Sequence, residues 1–170
     1  PKTTLTSRFF REGNIITSIA ACEDVIFTGN NLGRIRMHSC EKEMEYKSLS
    51  TDELLEPNKR SVVCMDISPA IDNLVSGYLN GAIALWDLST SKCRKLLTEE
   101  HTNAVLAVKF IKIENKFFEF ISSDLDGYIK KISISIRFLF TSVDSSVLLK
   151  KKEPFFLIEV LKLSPEEKNV

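Results

Sequence analysis

Two histidines, His38 and His101, and four cysteines, Cys22, Cys40, Cys64 and Cys93, are the side chains of this 170-residue chain best suited to hold a metal or attack a carbonyl. A zinc centre needs three or four such ligands, usually in closely spaced pairs. His38 and Cys40 form one such pair and no second pair accompanies them, so His38, at the end of an apolar run, reads as a structural or surface residue. A cysteine nucleophile needs an imidazole base, a third orienting group and an oxyanion donor, commonly on a strand–turn–helix elbow. Cys40 or Cys93 could meet either histidine, but neither stands in such a setting. The glycine pairs Gly29-x-x-x-Gly33 and Gly77-x-x-x-Gly81 lack the Lys-Ser/Thr of a phosphate loop. Lys150-Lys151-Lys152 could approach anionic lipid headgroups, although Glu153 beside them favours a solvated loop. No catalytic residue, cofactor or metal is therefore expected, and no partner-binding residue is legible.

Composition narrows the classes further. The 23 basic and 23 acidic side chains cancel, which argues against a general electrostatic grip on nucleic acid or lipid. No apolar run approaches the roughly 20 residues of a membrane-spanning helix. The first ten residues, PKTTLTSRFF, carry no secretory pattern. Widely spaced cysteines, two of them inside apolar runs (Cys22 and Cys64), suit a reducing, cytoplasmic setting. The chain has no initiator Met and starts in mid-pattern, so it is expected to be a piece of a longer protein.

The elements that must carry these residues are short strands. From Ser61 to Phe110 the apolar runs Val62–Ile67, Asn73–Gly77, Ala82–Leu88 and Arg94–Leu97 are separated by Ser68-Pro69, Leu79-Asn80-Gly81 and Ser89-Thr90-Ser91, and His101 precedes a further run, Ala104–Phe110. The third run ends in Trp86-Asp87. Four short strands with a glycine turn before the third and Trp-Asp at its end are the cues of a propeller blade. The pattern repeats. Gly29/Gly33, Gly77/Gly81 and Ser123/Gly127 align, the second member recurring 48 and then 46 residues on. The runs starting at Ile15, Val62 and Val105 align before them, and GRIRMHS, GAIALWDL and GYIKKISI after them. Each turn glycine suits a positive φ between the second and third strands. Arg34 and Arg36 alternate with Ile35 and Met37, as on a strand with one exposed face, where they suit an acidic partner or, more simply, protect an edge. Trp86 reads as core between blades, and His101 as a brace for a blade-to-blade loop.

Outside these units the pattern weakens. Thr3–Phe10 suggests an incoming strand. The charged insert Glu41–Arg60, with a capping-box run from Ser50 to Glu53, is expected to be a short helical or mobile loop ended by Pro57. Glu114–Lys116 reads as a plain turn. Phe155–Leu163 is a strand or short helix, and Ser164-Pro165 a helix start.

The wording of the central unit is more specific than a generic blade. S-V-V-C-M-D-I-S-P, then L-V-S-G-Y-x-x-G-x-I-x-L-W-D-L, then His101 and A-V-L-A-V-K-F resemble the N-terminal propeller of the vacuolar protein sorting-associated protein 8 family, tether subunits of the endosomal CORVET complex. The resemblance covers about residues 13–136 and is best over 61–110. It implies an all-β, WD-repeat β-propeller, here about three blades. The blade signature is Gly29, Gly33, Gly77, Gly81, Trp86, Asp87, His101 and Gly127, and the units are about 13–40, 61–100 and 101–136 within a propeller segment 1–136. Residues 137–170 would be a degenerate fourth blade or a terminal extension. The implied function is a protein-interaction scaffold in vesicle tethering and protein transport, cytoplasmic and peripheral to endosome or vacuole membranes. Its implied partners are other tether-complex subunits and an endosomal Rab GTPase. An unrelated WD-repeat adaptor, of ubiquitin-ligase or ribosome-assembly type, is the rival. A complete WD-repeat tetrad joins a loop His, a strand Ser or Thr, a turn Asp and the Trp. Trp86 has Ser76, but Asn80 stands where the turn Asp would be and no His precedes its blade. His101 belongs to the next blade, where Ile132 takes the Trp position, so no tetrad is expected to be complete.

Overall fold

The computed structural model of the protein describes residues 14–40, 45–51, 55–56, 60–137 and 141–150. Twelve strands among them form three four-stranded antiparallel sheets, each strand paired with its neighbours in the chain. The first sheet holds β1 (Ile16–Cys22), β2 (Val25–Asn30), β3 (Arg34–Ser39) and β4 (Glu45–Ser50). The second holds β5 (Val62–Ile67), β6 (Asn73–Tyr78), β7 (Ile83–Asp87) and β8 (Lys92–Leu97). The third holds β9 (Val105–Glu114), β10 (Phe117–Asp124), β11 (Tyr128–Ile136) and β12 (Thr141–Lys150). First strands lie beside first strands, β1 against β5 and β5 against β9. The sheets are therefore three consecutive blades of a β-propeller, an all-β arrangement that stacks short meanders face to face.

Burial follows from that stacking. The second blade is covered on both sides, and every residue of β6 and β7 is buried. Alternate side chains serve alternate junctions. Leu74, Tyr78, Ala84 and Trp86 meet Phe27, Ile35 and Leu49 of the first blade. Val75, Ile83 and Leu85 meet Val105, Phe118, Phe120 and Ile134 of the third. Polar ties reinforce each junction. Thr17 Oγ1 donates to the Val62 carbonyl at 2.5 Å, and Lys47 Nζ donates to the Leu88 carbonyl. At the next junction Asp66 accepts from Lys109 Nζ and from the Phe110 N–H, both at 2.8 Å.

Two stretches differ from their sequence-based reading. Within Glu41–Arg60, residues Glu45–Ser50 are the outermost strand of the first blade, paired to β3. Beyond it, the Leu55 N–H donates to the Thr51 carbonyl at 3.0 Å. An outer strand needs apolar residues on one face alone, so one buried leucine, Leu49, anchors an otherwise polar run. In the stretch 137–170, β12 hydrogen-bonds along β11 from Thr141 to Lys150 and completes the third sheet. Thr3–Phe10, Asp52 and Glu53 of the capping-box run, Leu54, Pro57, Phe155–Leu163 and Ser164-Pro165 lie outside the described residues.

The turns between second and third strands share one geometry. Gly33, Gly81 and Gly127 have φ of +80°, +87° and +80°. Each donates its N–H back three residues, to Asn30, Tyr78 and Asp124, at 3.1–3.2 Å. The glycine is thus the fourth residue of the turn, and Asn80-Gly81 is not the centre of a two-residue hairpin. At Gly81 a Cβ would collide with the His101 carbonyl and lie 3.0 Å from the Asn103 oxygen; at Gly33 it would lie 2.9 Å from the Arg60 oxygen. The Gly33 and Gly81 turns are each seated against the loop that leads into the next blade, which leaves no room for a side chain. The two-residue β9–β10 turn, Asn115-Lys116, has positive φ at both positions.

Candidate functional site

The residues with chemical potential converge on one repeated place: the hydroxyl just before the second-strand small residue. Register makes Thr28, Ser76 and Ser122 equivalent, because Gly29, Gly77 and Ser123 pair with Ile35, Ile83 and Ile129. Three residues further along the third strand stand His38, Trp86 and Ile132.

Each blade closes this place differently. In the first, Thr28 Oγ1 lies 3.1 Å from His38 Nε2. In the second, the Trp86 indole N–H donates to Ser76 Oγ at 2.9 Å and the Ser76 hydroxyl donates to Tyr78 Oη at 3.0 Å. Burial, partly offset by the Ser76 bond, pushes the Tyr78 phenol well above its ordinary range. In the third, His101 reaches back from the loop before β9. Its Nδ1 is 2.7 Å from Asp124 Oδ2 and its Nε2 is 2.7 Å from Ser122 Oγ. The other Asp124 oxygen accepts the Tyr128 N–H at 2.9 Å.

Ser122, His101 and Asp124 repeat the hydrogen-bond order of a hydrolytic triad, but their setting is that of a core brace. The three are 1 %, 3 % and 3 % exposed, so no substrate carbonyl reaches Ser122 Oγ. Desolvation lowers the His101 pKa below its ordinary value, against the hydrogen bond and charge of Asp124. The neutral ring donates from Nδ1 to Asp124 and accepts the Ser122 proton at Nε2, so both nitrogens are satisfied. In a dry interior such closure is what makes polar groups tolerable.

The sequence-derived signature residues have separate places. Gly33, Gly81 and Gly127 are the turn glycines already described. Gly29 and Gly77 sit where one blade touches the next, and a Cβ on either would lie 2.6 Å from a methyl of Val62 or Val105. Trp86 fills the junction of the first and second blades. Asp87 ends β7 and accepts from the N–H groups of Ser89 and Thr90 at 2.8 and 3.2 Å and from Ser89 Oγ at 2.5 Å. Arg94 lies 2.9 Å from its other oxygen. Burial works against the Asp87 carboxylate, but these donors outweigh it and hold its pKa below the ordinary value.

The structure also separates residues that sequence logic paired. Counting back one residue from the turn glycine puts Asn80 and Asp126 at the tetrad's acidic position. The observed acid is Asp124, three before Gly127, and its counterpart before Gly81 is Tyr78. The third blade thus joins His, Ser and Asp, with a buried Ile132 in the Trp position. Asp124 and Ser122 were missed; their signal is the fixed distance to the turn glycine. Among the described residues, no group of three or more His, Cys, Asp or Glu is placed to hold a metal. Burial pushes the Cys64 and Cys93 thiols up to about 12 and about 11, away from the thiolate a nucleophile requires. Lys150 lies 4.6 Å over the Tyr128 ring.

Comparison with known proteins gives three findings. Residues 3–170 match the family model described as the Vps8 beta-propeller. No curated protein matches the chain. Solved propellers share its fold. The WD40 repeats of RRP9 align with TM-score 0.60 at 19% identity, over 72% of this chain and 36% of that one. U3-55K aligns with TM-score 0.60 at 19% identity, over 72% and 37%. The Cps50 (Swd1) β-propeller domain of Myceliophteria thermophila gives TM-score 0.63 at 14% identity, over 80% and 41%. The chain therefore spans less than half the length of these propellers, and at such identities the likeness is one of fold.

Proposed function

The chain belongs to the Vps8 β-propeller family, and from that premise we propose that it is the non-catalytic scaffold segment of an endosomal or vacuolar tethering subunit. The family match along nearly the whole chain carries this reading. The chemistry of the interior supports it: the Ser122–His101–Asp124 cluster is buried and fully engaged, and desolvation raises the thiol pKa of the part-buried Cys64 and Cys93. What remains for function is the surface of a rigid framework, whose turns are free to differ while the strands are not. In this reading the partners are other tether-complex subunits and a membrane-bound endosomal Rab GTPase. The protein is cytoplasmic and reaches endosome or vacuole membranes through them.

The test is capture of the full-length protein, with and without residues 13–136, on an endosomal Rab GTPase loaded with a non-hydrolysable GTP analogue or with GDP. Nucleotide-dependent capture that disappears with the deletion is the expected result. Equal capture of both forms, or capture of neither, overturns the Rab contact and leaves a propeller of other partnership.

A further inference from the structure

Both junctions between blades are tied at the same point. Thr17 Oγ1 donates to the Val62 carbonyl at 2.5 Å, and Cys64 Sγ to the Val105 carbonyl at 3.4 Å. Each acceptor is the first residue of the next blade's first strand. Across the strand pair Ser18 lies opposite Gly29 and Cys64 opposite Gly77, and Val62 or Val105 closes on the bare glycine. The third blade reverses this pair: Ala107 lies opposite Ser123. With Leu106 and Ala107 in the places of Thr17 and Cys64, Ser123 is the hydroxyl the third blade offers to a following junction. Ser123 is 6 % exposed, and its Oγ is buried with no hydrogen-bond partner among the described residues. Ser18 Oγ is also buried and unpaired, but there Thr17 already makes the tie. An unpaired buried hydroxyl is costly. Beside Ser123, Ile121 and Ile129 are half-buried, whereas their counterparts Val75 and Ile83, which the third blade covers, are fully buried.

The chain contains a segment, beyond the described residues, whose sequence fits this place. Two independent spacings find it. Val105 follows Leu97, the last residue of β8, by eight residues, and Ile158 follows Lys150, the last residue of β12, by the same eight. Counting back from a turn gives the same residue: Val62 precedes Ser68-Pro69 by six, and Ile158 precedes Ser164-Pro165 by six. The correspondence continues to Asn73 and Asn169, each five residues after its serine. Ser68 Oγ accepts the N–H groups of Asp72 and Asn73 at 3.2 and 2.9 Å and so turns the chain into β6. In this alignment the positions that face the preceding blade are always apolar. Val62, Met65 and Ile67 belong to the core shared with the first blade, and Val105, Val108 and Phe110 to that shared with the second. Ile158, Leu161 and Leu163 hold the same places.

We propose that residues 158–163 lie along the third blade as the first strand of a fourth, with Ser123 Oγ donating to the Ile158 carbonyl. Ser164-Pro165 then turns the chain as Ser68-Pro69 does, in place of the helix start that its residue types suggest. The donor of the junction has crossed from the first strand to the second, and the acceptor keeps its position. The far face of the third blade is thereby an internal junction, and partners of the scaffold are left the turns and the outer strands. Rab capture has no bearing on this junction, so either reading can fail alone.

The test is disulfide trapping in the full-length protein. Bridged cysteines need Cβ atoms about 3.5–4.5 Å apart. Ser123→Cys combined with Ile158→Cys should crosslink under mild oxidation, and the bridge, located by peptide mapping, should be lost when oxidation is carried out in urea. Ser123→Cys combined with Val160→Cys should not crosslink, because Val160 corresponds to Cys64, whose thiol faces the following blade. No bridge in the first pair, or equal bridging in both, overturns the proposal. Amide exchange in the unmodified protein removes the dependence on variants that fold poorly. Residues 158–163 should exchange as slowly as β9, and exchange there at the rate of an unfolded peptide overturns the proposal whatever the variants do.

Discussion

The second and third blades place a serine at one register point, Ser76 and Ser122, and surround it with opposite chemistry. In the second blade the serine accepts from an indole that fills the junction with the first blade. In the third blade an isoleucine stands in the indole's place, and an imidazole from a distant loop, backed by a carboxylate, supplies the partner. The first blade offers a further solution, a threonine facing His38. What the fold demands is a filled volume and a closed hydrogen-bond set around the hydroxyl; the identity of the groups is negotiable. The difference shows in the kind of fragility each blade has. The second depends on apolar volume, the third on three polar groups that must all be present.

The largest break in that contrast is Trp86→Ala. It removes a fully buried side chain shared by two blades and should cost about 3–5 kcal/mol in urea unfolding. A loss below about 1 kcal/mol would mean the junction does not depend on the indole. His101→Ala leaves the Asp124 carboxylate and the Ser122 hydroxyl buried without the ring, at a cost of about 3 kcal/mol. The double variant with Asp124→Ala should cost clearly less than the sum of the single changes; strict additivity would show that the cluster is not a unit. Gly81→Ala forces a left-handed φ on alanine and drives a methyl at the His101 carbonyl. A cost of about 2 kcal/mol is expected, with hydrogen exchange rising in both the second and third blades and not in the second alone.

Acid should separate the blades without mutation. The folded-state pKa of His101 lies below the ordinary value of 6.5, so the unfolded chain takes up the proton first as pH falls. Stability from this group is therefore complete above about pH 6.5 and declines as pH drops through that value toward the lowered one. Lys130 adds to the shift, and Glu100 opposes it. In His101→Gln the slope of unfolding free energy against pH over this window should flatten; an unchanged slope would assign it elsewhere. The smallest effect is expected at Lys109→Ala. Its ion pair with Asp66 joins the second and third blades, yet the lysine is more than half exposed, so the loss should stay below about 1 kcal/mol and shrink with added salt.

Much of this architecture is legible in the sequence, for identifiable reasons. The inner strands carry dense β-branched runs between glycine turns, and Val62–Ile67 is found at its expected bounds. The outermost strands are harder to see. EYKSLS and TSVDSSVLLK are outermost in their sheets; Lys47–Ser50 bury only Leu49 and the side chains of β12 are almost all exposed, so nothing compels the apolar alternation that would reveal them. The polar cluster hides for a different reason. Asp126 and Asn80, next to glycine, look like the important turn residues, whereas Asp124 and Ser122 matter through strand register and through a loop that returns His101 to them. Those are long-range relations that no local pattern encodes.

The seating of the Gly33 and Gly81 turns against the following lead-in loops also bears on biosynthesis. Gly33 closes on Arg60, and Gly81 on His101 and Asn103, segments that are translated later than the turns they complete. A nascent blade on the ribosome therefore holds an unfinished tip until the next first strand has emerged. The tips of the first two blades are thus completed only by chain that lies C-terminal to them.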